Sequence, residues 1–135
     1  MKLRFSALAA ATALAVAVPA MAHHSFNTFF DMSRTIAIEG VVTSFRLVSP
    51  HSEMLVDVPD AAGKPVTWRI TARTGAVNAK REGWKAEDFI GKRVKVEGNP
   101  SRREGGTAMT AGLVTFLEGG KSVCLGGCPG GPPIE

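Results

Sequence analysis

Two apolar runs of period two, set back to back across a turn, constrain this chain more than any other feature. Met54, Val56 and Val58 alternate with Leu55 and Asp57, the turn Pro59-Asp60-Ala61-Ala62-Gly63 follows, and Val66, Trp68 and Ile70 then alternate with Thr67 and Arg69. Successive side chains on a strand point to opposite faces, so this spacing predicts a β-hairpin with one apolar face.

Similar runs flank the hairpin. Ile36, Ile38, Val41 and Phe45 recur between Thr35 and Val48, and Gly40 within them predicts a bulge or sharp bend before Pro50 interrupts the run. Thr74 to Arg81 reads as a short helix capped by Thr74 and ended by Gly83, with a second helical turn from Lys85 to Ile90. Val94 and Val96 then alternate with Arg93, Lys95 and Glu97. Gly98-Asn99-Pro100 reads as a turn, and Met109 to Leu117 as the last strand after the polar loop Arg102 to Gly106. Three strands, a helical insertion and two strands is the order of the oligonucleotide/oligosaccharide-binding fold, a five-stranded Greek-key barrel. The expectation is therefore an all-β domain with one short helical insertion over residues 35–118. Val56, Trp68, Ile70, Val94, Val96 and Val114 should share its core.

Ahead of the domain, basic Lys2 and Arg4, the apolar run Ala7 to Val18 and the small-residue site Ala20-Met21-Ala22 have the form of a secretory signal. Removal of residues 1–22 would place the chain in the periplasm or outside the cell. It would leave 113 of the 135 residues, enough for one modest core, with residues 23–34 as an N-terminal arm. Without Lys2 and Arg4 the chain carries 14 basic against 12 acidic side chains, a net charge of +2. That is too weak to select nucleic acid or an anionic membrane. No cysteine follows the cleavage site to carry a lipid, and no other apolar stretch nears the ~20 residues that span a bilayer.

Cleavage after Ala22 would make His23 the first residue, followed directly by His24. The free amine, a deprotonated amide and an imidazole would then form adjacent chelate rings, a tetragonal nitrogen set that favours Cu(II) or Ni(II). His51, just after Pro50, is the third histidine of the chain and completes the expected metal set of His23, His24 and His51. Met32, Met54 and Met109 are too scattered for a Met-rich copper site and read as core filler. Cys124 and Cys128 lie in a tail, residues 119–135, rich in glycine and proline and expected to be flexible. In an oxidising compartment the pair reads first as a disulfide. Its Cys-x-x-x-Cys-Pro spacing also resembles the motif with which the cytochrome-oxidase copper-insertion family binds Cu(I).

Basic residues from Arg69 to Lys95 lie near Trp68 and Trp84, which gives Trp68, Arg69 and Trp84 as a candidate face for an anionic or sugar-like ligand. No Gly-x-Ser-x-Gly elbow and no phosphate-binding Gly-x-x-x-x-Gly-Lys occurs. In order along the chain, His23-His24-Ser25-Phe26, Phe30-Asp31, Glu39-Gly40-Val41-Val42, Ser49-Pro50-His51-Ser52, Trp68 and Arg81-Glu82-Gly83-Trp84 resemble an uncharacterised family of exported bacterial proteins, over roughly residues 22–117. The resemblance implies export and a compact β domain, and assigns no reaction. The reading from sequence is thus a periplasmic, non-enzymatic binding module with copper as its leading ligand. An anionic or sugar-like ligand or a partner protein is the first alternative, and thiol–disulfide or copper transfer through Cys124 and Cys128 the second.

Overall fold

The computed structural model describes residues 26–128. The expected leader, His23, His24 and the end of the tail lie outside the described residues. Six strands are present: β1 (Ile36–Arg46), β2 (Glu53–Pro59), β3 (Pro65–Ala72), β4 (Arg93–Pro100), β5 (Ala108–Phe116) and β6 (Ser122–Cys124). One helical turn, α1 (Phe26–Phe29), precedes them, and α2 (Ala76–Arg81) with a 3-10 turn (Ala86–Asp88) joins β3 to β4.

The strands hydrogen-bond in the order β3-β2-β1-β4-β5-β6, and a parallel pairing of β3 with β5, Arg69 opposite Ala108 through Ala72 opposite Ala111, closes β1 to β5 into a ring. This is the expected five-stranded barrel, with β6 added outside the ring. β1 serves two partners: residues 36–41 pair with β4 and residues 41–46 with β2. The register slips between Val42 and Ser44 rather than at Gly40. Gly40 has a different role, because a Cβ there would run into the carbonyl oxygen of Asp57 on β2. Absence of a side chain is what this close approach requires, beside Val41, where β1 passes from one partner strand to the other.

Alternation sorts the core as expected. Val56, Ile70, Val94, Val96 and Val114 are fully buried, and Trp68 packs half-buried against them. Phe89, which follows the 3-10 turn, plugs one end of the barrel with its ring 4.7 Å from Phe45, 5.4 Å from Trp84 and 5.2 Å from Phe116. Gly83 (φ 79°) ends α2 in the left-handed conformation, its N–H donating to Lys80 and that of Trp84 to Ala79.

Two expectations need correction. Gly98-Asn99-Pro100 is not a turn but the end of β4, paired with Ala111, Thr110 and Met109 after a register shift at Glu97/Gly98. Gly98 fits there because a Cβ would collide with the Thr110 carbonyl, and Pro100 closes the strand, where a missing donor costs least. The tail, for its part, does not begin at residue 119. Gly119 and Gly120, both at positive φ, turn the chain back so that β6 pairs with β5, and Val123 and Leu125 enter the core at 3% exposure each. Two alternating apolar residues outweigh the glycine-rich composition around them.

Candidate functional site

The chain before β1 folds back over the barrel beside the β4–β5 loop. Backbone bonds hold it there: Asp31 donates to the Pro100 carbonyl (2.8 Å) and Arg102 to the Phe29 carbonyl (2.9 Å), while Phe30 bridges to Ser101. Side chains add to this. Arg102 Nε donates to the Asn27 carbonyl (2.8 Å), and Asn99 Nδ2 donates to the Arg34 carbonyl (2.6 Å). The Asp31 carboxylate accepts from the Ser33 hydroxyl (2.6 Å) and amide (3.2 Å). That hydroxyl, then the Ser33 amide and the nearby Arg102 and Arg34 cations, hold the Asp31 carboxyl below the usual carboxylate range.

Under the arm lies Arg73, immediately after β3. Its guanidinium donates to Asn99 Oδ1 (2.5 Å), approaches Met32 Sδ (3.7 Å) and sits 5.9 Å from the Phe26 ring centre. Partial burial lowers its pKa, and its Nε has no partner among the described residues. The second such orphan is His51 Nδ1. His51 belongs to the β1–β2 loop, which is pinned by buried Ser52: the Ser52 hydroxyl donates to Val48 and the Ser52 carbonyl accepts from Ala72. The imidazole packs edge-on against Phe26 with ring centres 4.8 Å apart.

Beside this contact a groove of about 590 Å³ opens between the arm, the β1–β2 loop, β3 and the β4–β5 loop. Phe26, Phe29 and Phe30 form its apolar side, Thr71 and Ala108 its floor, and Arg69, Arg102 and Arg103 its charged rim, with His51 at one end. Phe29 is 64% exposed, a large value for an aromatic side chain, while Phe26 and Phe30 stack at 5.9 Å. The groove lies between the β1–β2 and β4–β5 loops, over the seam where Arg69 and Thr71 of β3 meet Ala108 of β5.

The candidate face of Trp68, Arg69 and Trp84 is not assembled. Trp68 and Arg69 are consecutive on β3 and point to opposite faces, Trp68 to the core and Arg69 to the groove. Trp84 packs with Phe89 and Phe116 under the Lys121 ammonium, 4.5 Å from its ring. Of the three expected histidine donors the described residues contain His51, and no group of three metal-binding side chains occurs among the described residues. Cys124 and Cys128 form a disulfide, so neither offers a thiolate. No helix among the described residues is long and apolar enough to cross a membrane.

The groove residues that sequence reading missed are Phe26, Phe29, Phe30, Arg102 and Arg103. Spacings of three and four between the phenylalanines, which put them on one side of a helical turn, were the available signal.

Fold and groove together define a small closed β-barrel of the oligonucleotide/oligosaccharide-binding topology, with an N-terminal arm laid across its loop end. The chain belongs to the family described as a family of unknown function (DUF6152), whose family model matches residues 11–111. No curated protein and no solved structure matches it.

Proposed function

We propose that this chain is an exported, non-catalytic binding module that takes its ligand in the arm-lined groove. Export is supported by the composition of residues 1–22. The observation that carries the binding reading is one wall of three phenylalanines facing three arginines at the loop end of the barrel. An apolar body with a few polar anchor points is the usual make-up of a small-molecule site. Titration of isotope-labelled protein, prepared by export without a tag, with small organic anions and sugars tests it through amide chemical shifts. Shifts should centre on Phe29, Arg69, Thr71, Arg102 and Arg103. Shifts centred instead around Trp84 and Lys121 would move the site to the other end of the barrel and refute the proposal.

A second reading, Cu(II) binding, is favoured by His51 Nδ1, which has no partner among the described residues. The ring lies against Phe26, which follows His24 by two residues and His23 by three in the sequence. His23 or His24 with the new amine would be the main donors and His51 the supporting one. Calorimetric titration with Cu(II) should show at least roughly tenfold weaker binding, about 1.4 kcal/mol, for His24→Ala and for a protein with one residue added before His23. Equal affinity in both variants would remove this reading.

A further inference from the structure

Resting on the groove reading above, we infer that the ligand is a small monoanion with a flat aromatic body and a single carboxylate head. The body is argued from the arm. Phe29 presents a largely exposed ring with no aromatic partner among the described residues, beside the stacked pair Phe26 and Phe30. Phe29 is more exposed than Val41, Val48, Ile90 and Leu117, the other exposed large apolar side chains among the described residues. It is joined to Phe26 and Phe30 in one groove wall, a contiguous aromatic patch on which an aromatic ring stacks or which it meets by its edge. A volume of about 590 Å³ accommodates a body of two or three fused rings.

The head is argued from the rim. Arg103 has no side-chain partner among the described residues, and Arg102 commits only Nε, to the Asn27 carbonyl, so its terminal N–H groups remain available. Arg69 faces Glu53 at 3.5 Å in an exposed pair, weak enough for a ligand to compete with. Guanidinium groups match the two oxygens of a carboxylate. Charge decides the valence. Counted together, Arg34, Arg69, Arg102 and Arg103 stand against Asp31, which Arg102 and Arg34 face, Glu53, which pairs with Arg69, and the neighbouring Glu104, so the rim offers about one net positive charge and suits one negative.

The experiment uses the exported, tag-free chain with naphthoate, naphthylmethanol and acetate as probes, followed by calorimetry and amide shifts. Naphthoate should bind in the groove, with naphthylmethanol and acetate each at least tenfold weaker. Arg103→Glu and Phe29→Ala should each weaken naphthoate about tenfold or more while leaving the melting temperature near that of the parent, since both side chains are exposed. Arg103→Lys should retain part of the affinity. If naphthylmethanol binds in the groove as tightly as naphthoate, the carboxylate assignment is wrong and the groove stands. If acetate matches naphthoate there, the aromatic assignment is wrong. An oligonucleotide that binds the groove more tightly than naphthoate overturns the small-ligand assignment. If none of the probes perturbs the groove, or all act elsewhere, the groove reading itself falls.

Discussion

Asn99 is the joint between arm and barrel, and replacing it by Ala should loosen the arm while leaving the barrel closed. Its Oδ1 accepts from Arg73 and its Nδ2 donates to the Arg34 carbonyl, so one truncation removes two bonds. A hydrogen bond to a charged group contributes about 1.5–3 kcal/mol and a neutral one about 0.5–1.5 kcal/mol. The Arg34 bond is exposed, which places it at the low end, and the two together come to about 2–3 kcal/mol. Arg73 cannot compensate. Its Nε already lacks a partner, and its other neighbours are a thioether 3.7 Å away and the Phe26 ring. With 1.4 kcal/mol per factor of ten, arm opening should become about thirtyfold more frequent or greater. Amide hydrogen exchange reads this directly: Asp31 and Arg102, whose N–H groups bond across the arm–loop contact, should exchange faster by that factor. Amides in the middle of β4 and β5 should not change. Arm amides that keep the parent rate would refute the reasoning, as would equal acceleration in the barrel, which would make Asn99 a barrel residue.

Phe89→Ala should cost about 3–5 kcal/mol, because the ring is fully buried among Phe45, Trp84 and Phe116; urea denaturation would show it as a lower midpoint at unchanged slope. Replacing both Cys124 and Cys128 by Ser should cost about 2 kcal/mol, the chain-entropy value for so short a loop, with amide shifts in the groove unchanged. The depressed Asp31 carboxyl stabilises the arm while ionised, so its contribution is complete above the ordinary carboxylate range and is lost as pH falls through the lower folded value. Arm amide exchange in the parent should therefore rise on the acid side, and Asp31→Asn should abolish that dependence; an unchanged acid-side rise in the variant would assign it to another group.

The barrel was legible because its strands obey period two with little interruption, and a slip of one residue would turn every apolar side chain outward. Where composition and pattern disagreed, composition misled. The glycines around β6 read as a flexible tail, yet Val123 and Leu125 occupy the two core-facing positions that matter, and the glycines supply the turn that brings them back. Gly98-Asn99-Pro100 carries three turn-forming residues but sits where β4 must pass close to β5, and only a residue without Cβ passes there. The opposition of Trp68 and Arg69 follows from the same period two that located β3, so joining them in one ligand face ran against the chain's own alternation.

The site was less legible because no single stretch of sequence contains it. Its residues come from positions 26–30, 51, 69–71 and 101–108, brought together by strand closure and by the arm's return across the β4–β5 loop. The stretches that carry the family resemblance separate along the same line. Gly40, Ser52, Gly83 and Trp84 have packing roles that account for them: a close approach, a loop anchor, a helix end and an aromatic core contact. Phe26, Phe30, Asp31 and His51 meet at the arm contact, where packing accounts for only part of what is found. Beside them Phe29 stays exposed and His51 Nδ1 has no partner among the described residues, two costs that a purely structural arm would avoid with smaller or apolar residues. On the groove reading proposed above, a ligand that covers the one or bonds the other would offset them, and the arm rather than the barrel would then carry the contacts that select it.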